Sequence, residues 1–131
     1  MTKEFNYYTN IYYEDTDAGG VVYYANYLKF FERARSEAIY SVGLSNKKLL
    51  DEYNIMIIVR SCNIEYKKPA FFEDRIEILS KINQIKNTSI TMNQVIKKNN
   101  EIITKAEIVL VTVNKKGKPQ RIPEILLKSL N

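Results

Sequence analysis

One short segment holds residue types at a spacing from which chemistry could be built. Tyr12-Tyr13-Glu14-Asp15-Thr16-Asp17-Ala18-Gly19-Gly20-Val21-Val22-Tyr23-Tyr24-Ala25-Asn26-Tyr27 reads as the end of a strand, a turn rich in carboxylates and glycine, and the start of a helix. A helix N-terminus carries unpaired backbone N–H groups and positive partial charge. Asp17, just ahead of such an end on a glycine-loosened turn, sets a base or nucleophile beside an oxyanion-binding position. That layout suits attack on an acyl group. The local alternative is that Asp17 caps the helix or pins the turn, as aspartate commonly does. Asp15 and Glu14 read as turn residues. Gly19 and Gly20 either let the backbone approach a ligand or permit the turn. Asn26 reads as a residue that holds the loop or caps the helix.

The chain has 131 residues and contains no histidine and one cysteine, Cys62. Ser-His-Asp and Cys-His machinery cannot be assembled within it. Zinc sites built on histidine are excluded, and one cysteine makes no thiolate cluster, so no metal site is expected. Acid–base work then falls to Asp, Glu, Tyr or Lys. A lone cysteine also forbids an intrachain disulfide, which fits a reducing compartment. With no histidine to activate it, Cys62 inside an apolar strand reads as core packing.

The N-terminus shows no apolar signal segment, and runs such as Ile55-Met56-Ile57-Ile58-Val59 are strand-sized, far too short to span a bilayer. The expected location is the cytoplasm. The formal charge is +5, much of it in the doublets Lys47-Lys48, Lys67-Lys68, Lys97-Lys98 and Lys115-Lys116. These read as solvated turns and guarded strand edges. The sharper alternative is attraction to polyanions. No nucleic-acid-binding motif surrounds them, and none is expected to act.

The elements that must position Asp17 follow from periodicity. Phe5, Tyr7, Thr9, Ile11 and Tyr13 alternate with polar or tyrosine neighbours and predict a first strand. From about Tyr24 to Val42 the period becomes helical. Tyr27, Phe31, Ala34, Ala38 and Val42 form one stripe, widened by Leu28, Phe30 and Ile39, and Gly43 closes the helix. Ser45 caps a second, shorter helix through Tyr53. Strands are predicted over 55–67, 74–86, 89–98 and 101–113, with Asn99-Asn100 as a tight hairpin turn. Pro123 begins a short helical turn through Leu127. The expectation is one domain over residues 1–131, of α+β class, with five mostly antiparallel strands wrapped around one long helix. Such a sheet leaves a face and edges to be covered, and self-association is the simplest cover.

The segment resembles the signature of the hotdog-fold acyl-CoA thioesterases, in the branch of the 4-hydroxybenzoyl-CoA and YbgC-type enzymes. That signature runs roughly Asp-x-x-Gly-x-Val-x-x-x-x-Tyr and is met by Asp17, Gly20, Val22 and Tyr27. Glu32-Arg33-Ala34-Arg35-Ser36-Glu37, Glu65-Tyr66 and Pro69-Ala70 also resemble the YbgC branch. The resemblance implies a hotdog fold in a homodimer or homotetramer, with active sites at the dimer interface. It implies hydrolysis of an acyl-CoA to a free acid and coenzyme A, with no cofactor. In similar enzymes an aspartate in the place of Asp17 attacks the thioester or activates water. In similar enzymes the backbone N–H at the position of Tyr24 polarises the thioester carbonyl. YbgC-type sequences usually carry histidine where this chain has Tyr24, so only a backbone role carries over.

By the same resemblance Gly20, Val22 and Asn26 count among substrate-binding positions. The junction Lys86-Asn87-Thr88-Ser89 lies near the coenzyme A phosphates in similar proteins, which nominates Lys86, Thr88 and Ser89. Arg60 and the Lys67-Lys68 pair are further phosphate candidates. An acyl-carrier protein is a second possible partner. The rival reading is a module that binds acyl-CoA or acyl-carrier protein without turnover, linked to phospholipid metabolism or the Tol–Pal system. Packing in the core and at an interface accounts for the many tyrosines.

Overall fold

A computed structural model describes residues 3–131. Strand β1 (Glu4–Asn10) leads through the glycine-containing loop to helix α1 (Tyr27–Ser41) and helix α2 (Asn46–Tyr53). Strands β2 (Met56–Tyr66), β3 (Arg75–Ile85), β4 (Ser89–Lys98) and β5 (Glu101–Val113) follow, and α3 (Glu124–Leu130) ends the chain. The five strands form one sheet in the order β1-β3-β4-β5-β2. Every pairing is antiparallel. This is the hotdog arrangement, with α1 lying across one face.

The register explains that face. Ile78 stands opposite Ile96, Ile82 opposite Met92, and Met92 in turn opposite Ile108. With a period of two, each row turns its side chains to the same side. Tyr27, Phe30, Phe31, Ala34 and Ala38 of α1 are buried against them. One polar row interrupts the apolar ones. Gln94, fully buried and opposite Ser80, donates to Ser80 Oγ at 2.8 Å and to the Phe31 carbonyl at 3.1 Å. Arg35 Nη1 donates to Gln94 Oε1 at 3.0 Å. This network ties α1 to the sheet in one position, because a slipped helix would leave several buried polar groups unpaired.

The ends follow local chemistry. Ser45 Oγ accepts from the Lys48 N–H at 3.0 Å and caps α2. Asn99 and Asn100 turn the β4–β5 hairpin at φ 50° and 68°, a left-handed pair that asparagine tolerates. Three boundaries differ from the sequence expectation. β1 stops at Asn10, not Tyr13, because Asp15 accepts the Tyr12 N–H and winds Tyr13–Asp15 into a 3-10 turn. The α-helix starts at Tyr27, since Tyr24–Asn26 is a 3-10 turn leading into it. α3 runs past Leu127 because Leu126 and Leu130 both reach the core.

Two burial expectations fail for one reason. Cys62 is exposed and Leu28 is 48% exposed. β2 is an edge strand, and α1 covers little of its inner side. A bulge at Arg60 re-phases this strand, since Val59 pairs with Leu110 while Ser61 pairs with Val109. Ile57 and Val59 before the bulge, and Cys62, Ile64 and Tyr66 after it, therefore share the helix-facing side. Among the described residues no helix is long and apolar enough to cross a membrane.

Candidate active site

The Asp17 loop is a small hairpin docked onto the chain before β3. Thr16 bridges Val22, and the Asp17 N–H donates to the Val21 carbonyl at 2.9 Å. The Gly20 N–H returns to the Asp17 carbonyl at 3.0 Å, with Gly20 at φ +81°. That conformation favours glycine. Val22 N–H donates to Ala70 O, and Phe72 N–H to Gly20 O, so the hairpin tip is pinned to residues 70–72.

Two aspartates divide the work. Asp15 is buried, its Oδ2 accepting from the Tyr12 N–H at 2.9 Å. Its carbonyl accepts from the Tyr23 N–H at 3.1 Å and from Asn26 Nδ2 at 2.8 Å. Asn26 thus ties the start of the helix to the turn. Asp17 is exposed, and its Oδ1 accepts from the Gly19 N–H at 2.8 Å. A Cβ on Gly19 would lie 3.3 Å from that oxygen. The carboxylate is oriented by one backbone donor and has further lone pairs for chemistry.

Tyr24 opens the 3-10 turn that runs into α1, so its N–H belongs to the group with no acceptor inside the helix. Its ring is 62% exposed. The Tyr66 hydroxyl donates to the Tyr24 carbonyl at 3.2 Å, and the two rings meet edge to face with centroids 6.4 Å apart. Tyr66 also lies against Tyr27 at 5.4 Å. Tyr27 is buried, and its hydroxyl accepts from the Ala70 N–H at 3.1 Å. Burial pushes the Tyr27 phenol up, against the lowering effect of that N–H. Desolvation also raises the Tyr66 phenol, and a hydrogen bond with Tyr24 raises that of Tyr23. Most tyrosines are not core residues here: Tyr12, Tyr13, Tyr23, Tyr24 and Tyr66 are all exposed.

Asp17, Gly20, Tyr24 and Asn26 come together at one end of the sheet. Val22 belongs there by its backbone, while its side chain is 5% exposed and part of the core. Lys86, Thr88 and Ser89 do not join them within the protomer. They turn the β3–β4 hairpin at the far end of β3, whose eleven residues span about 35 Å at about 3.3 Å each. Arg60 lies exposed at the β2 bulge. The cations at the Asp17 end are others. Lys68 Nζ pairs with Glu101 at 2.7 Å, and Lys98 Nζ pairs with Asp74 at 2.7 Å. Lys98 Nζ also lies 5.2 Å from the centroid of the Phe71 ring, beside the Val21 bridge. Periodicity missed Lys98 and Tyr66 because a strand's far end meets this loop only in three dimensions. The Asn99-Asn100 turn, which folds Lys98 back to that end, was the available signal.

A carboxylate oriented by a backbone donor on the loop that leads into the central helix, with a five-stranded antiparallel sheet packed on that helix, is the layout of a hotdog thioesterase. The chain belongs to the thioesterase-like superfamily, which it matches over residues 12–130. It is 37% identical over 128 residues to the acyl-CoA thioester hydrolase YbgC of Escherichia coli O6:H1, covering 96% of this chain and 95% of that one. It is 35% identical to the acyl-CoA thioesterase YbgC of Haemophilus influenzae, covering 95% and 92%. A probable thioesterase from Bartonella henselae superposes with a TM-score of 0.89 at 31% identity, over 92% of this chain and 100% of that one.

Proposed function

We propose that this chain hydrolyses acyl-CoA thioesters, with Asp17 as nucleophile or general base. The observation that carries the reading is the Asp17 carboxylate, held by Gly19 N–H at 2.8 Å in the turn that leads to the Tyr24 N–H. The carboxylate either adds to the thioester carbonyl carbon or takes a proton from a water that adds. The carbonyl electron pair moves onto oxygen, where the Tyr24 N–H receives it. Its return breaks the C–S bond and releases the coenzyme A thiolate, a good leaving group because thiols are acidic. On the nucleophilic route water then cleaves the mixed anhydride. Both routes give a free acid and coenzyme A. Neither requires a resident cofactor, since coenzyme A belongs to the substrate. A thioester on an acyl-carrier protein presents the same bond.

The assembly is part of the proposal. β2 has an unpaired outer edge, and Met56, Ile58, Val59 and Tyr66 on it are exposed. A two-fold dimer that pairs β2 with its copy covers this edge. The paired strands run in opposite directions. The far end of one sheet therefore meets the Asp17 end of the other, and the partner's β3–β4 hairpin is carried toward the coenzyme A phosphates.

The test is thiol release from a panel of acyl-CoAs by wild type and Asp17→Asn. Loss of a nucleophile or base costs about 10²–10⁴-fold in turnover, with the fold intact by circular dichroism. Wild-type rates in the variant would sink the mechanism.

A further inference from the structure

A cavity of about 260 Å³ lies between α1, α3 and the sheet. Its walls are apolar, with Phe5, Ile57, Ile82, Met92, Leu110 and Leu126 among them. Its polar residues come mainly from one side, Glu32, Arg35 and Ser36 of α1. These groups have partners already: Arg35 donates to Gln94, and Glu32 accepts from Ser36 Oγ at 2.9 Å. The space opens to the surface on one side, where the lining residue Val59 is 48% exposed.

The cavity and the Asp17 site are two stations on one seam. α1 follows directly from the turn that bears Tyr24 and then supplies Glu32 and Arg35. β2 supplies Tyr66 at the first station and Val59 and Ile57 at the second. Leu28 and Cys62, both exposed in the single protomer, flank the stretch between them along the β2 side that the proposed dimer would cover.

We propose that this cavity receives the distal part of a long, unbranched acyl chain, making long-chain acyl-CoA the preferred substrate class. The inference rests on the thioesterase reading above. The distance sets the class. From Tyr24 to Glu32 the helix advances about 13 Å, at about 2.0 Å per 3-10 residue and 1.5 Å per α-helical residue. An extended chain with bonds of about 1.5 Å advances about 1.25 Å per carbon, so about ten carbons reach the rim. Scaling from an apolar cavity of about 150 Å³ that holds benzene, the space beyond holds about ten more. A sixteen-carbon chain enters with its last six carbons. An eight-carbon chain ends on the seam, and a benzoyl group does not leave the first station. Arg35 is tied to Gln94 and Glu32 to Ser36 along one side, and the opposite walls of Ile82, Met92, Leu110 and Leu126 favour a plain hydrocarbon.

The experiment measures kcat/KM from butanoyl- to octadecanoyl-CoA below their micelle concentrations, for wild type and Ala38→Leu. Ala38 lines the cavity and is 6% exposed, so leucine there fills part of it. Wild type is expected to favour hexadecanoyl over octanoyl by about tenfold or more. Ala38→Leu is expected to lower that ratio severalfold while melting cooperatively. If Ala38→Leu does not fold, Ile57→Phe, at a half-buried wall position, replaces it. A profile that peaks at eight carbons or fewer, or a ratio the folded variant leaves unmoved, overturns the proposal and leaves the thioesterase reading standing. If no acyl-CoA is turned over, that reading falls instead. Calorimetric binding to wild type then decides: hexadecanoyl-CoA tighter than butanoyl-CoA by tenfold supports the cavity, and equal affinities overturn it.

Discussion

Gly19 and Gly20 stand side by side, yet alanine at each should fail in a different assay. A Cβ on Gly19 meets Asp17 Oδ1 at 3.3 Å, tighter than ordinary van der Waals contact. The carboxylate must give by a few tenths of an ångström, which lengthens its 2.8 Å bond from the Gly19 N–H. Hydrogen bonds to charged groups contribute about 1.5–3 kcal/mol, and misplacing a reacting group by about 1 Å costs about 100-fold. A partial loss places Gly19→Ala at about 3- to 20-fold lower kcat, with KM and melting temperature little changed. Gly20 is the reverse case. A Cβ there meets nothing within 4 Å, but the backbone sits at φ +81°. The left-handed conformation costs a residue with a Cβ about 1–2 kcal/mol, a drop of about 3–8 °C in melting temperature for a domain of this size. Steady-state kinetics and calorimetry on the two variants separate these effects. A Gly19→Ala enzyme with wild-type kcat would refute the claim that this N–H aims the carboxylate. So would a Gly20→Ala enzyme that loses more turnover than Gly19→Ala at a temperature where both are folded.

Sedimentation should show a dimer that Ile58→Lys, on the exposed edge strand, shifts to monomer with loss of turnover; a fully active wild-type monomer would contradict the shared site. The phenols of Tyr27 and Tyr66 are raised above the ordinary 10.0, so the folded state holds those protons more tightly than the unfolded one. Their contribution to stability is fully present below about pH 10 and lost as pH rises through the folded values. Urea midpoints should therefore fall above pH 10, and more shallowly in Tyr27→Phe; an equal slope would contradict the assignment. Gln94→Leu leaves Arg35, Ser80 and the Phe31 carbonyl without their partner, at a cost of about 1–3 kcal/mol or more, read as a lower urea midpoint; an unchanged midpoint would deny the network its role.

Most of the sheet was legible because each of β3, β4 and β5 repeats its burial every second residue, as at Ile76, Ile78, Ser80 and Ile82. The stripe on α1 was legible for the same reason at the helical period. What periodicity could not show was depth of cover. Cys62 and Leu28 have the chemistry of core residues, but they lie along a seam that α1 leaves open. Nor could it show which end of the sheet a hairpin occupies. Lys86 and Lys98 look alike in sequence, and only the strand order puts Lys98 at the Asp17 end. The glycine-containing loop was legible as a turn. Its internal order was not, because Asp15 and Asp17 differ only in which way a short 3-10 turn points them.

That difference bears directly on the mechanism. A carboxylate that must both hold a loop and react has its oxygens occupied by the first task. Here the tasks fall to separate residues. Asp15 takes the Tyr12 N–H with its side chain, and gives its carbonyl to Tyr23 and Asn26. The loop is thereby fixed to the helix start without using Asp17. The Gly19 N–H then orients Asp17 while leaving acceptor capacity on an exposed side chain. In the proposed mechanism Tyr24 acts through its backbone, which is held by the Tyr66 hydroxyl and the 3-10 turn rather than by its own ring. A histidine at this position is therefore not required for the chemistry proposed. The side chain at Tyr24 is free to vary with what lies on the seam beside it.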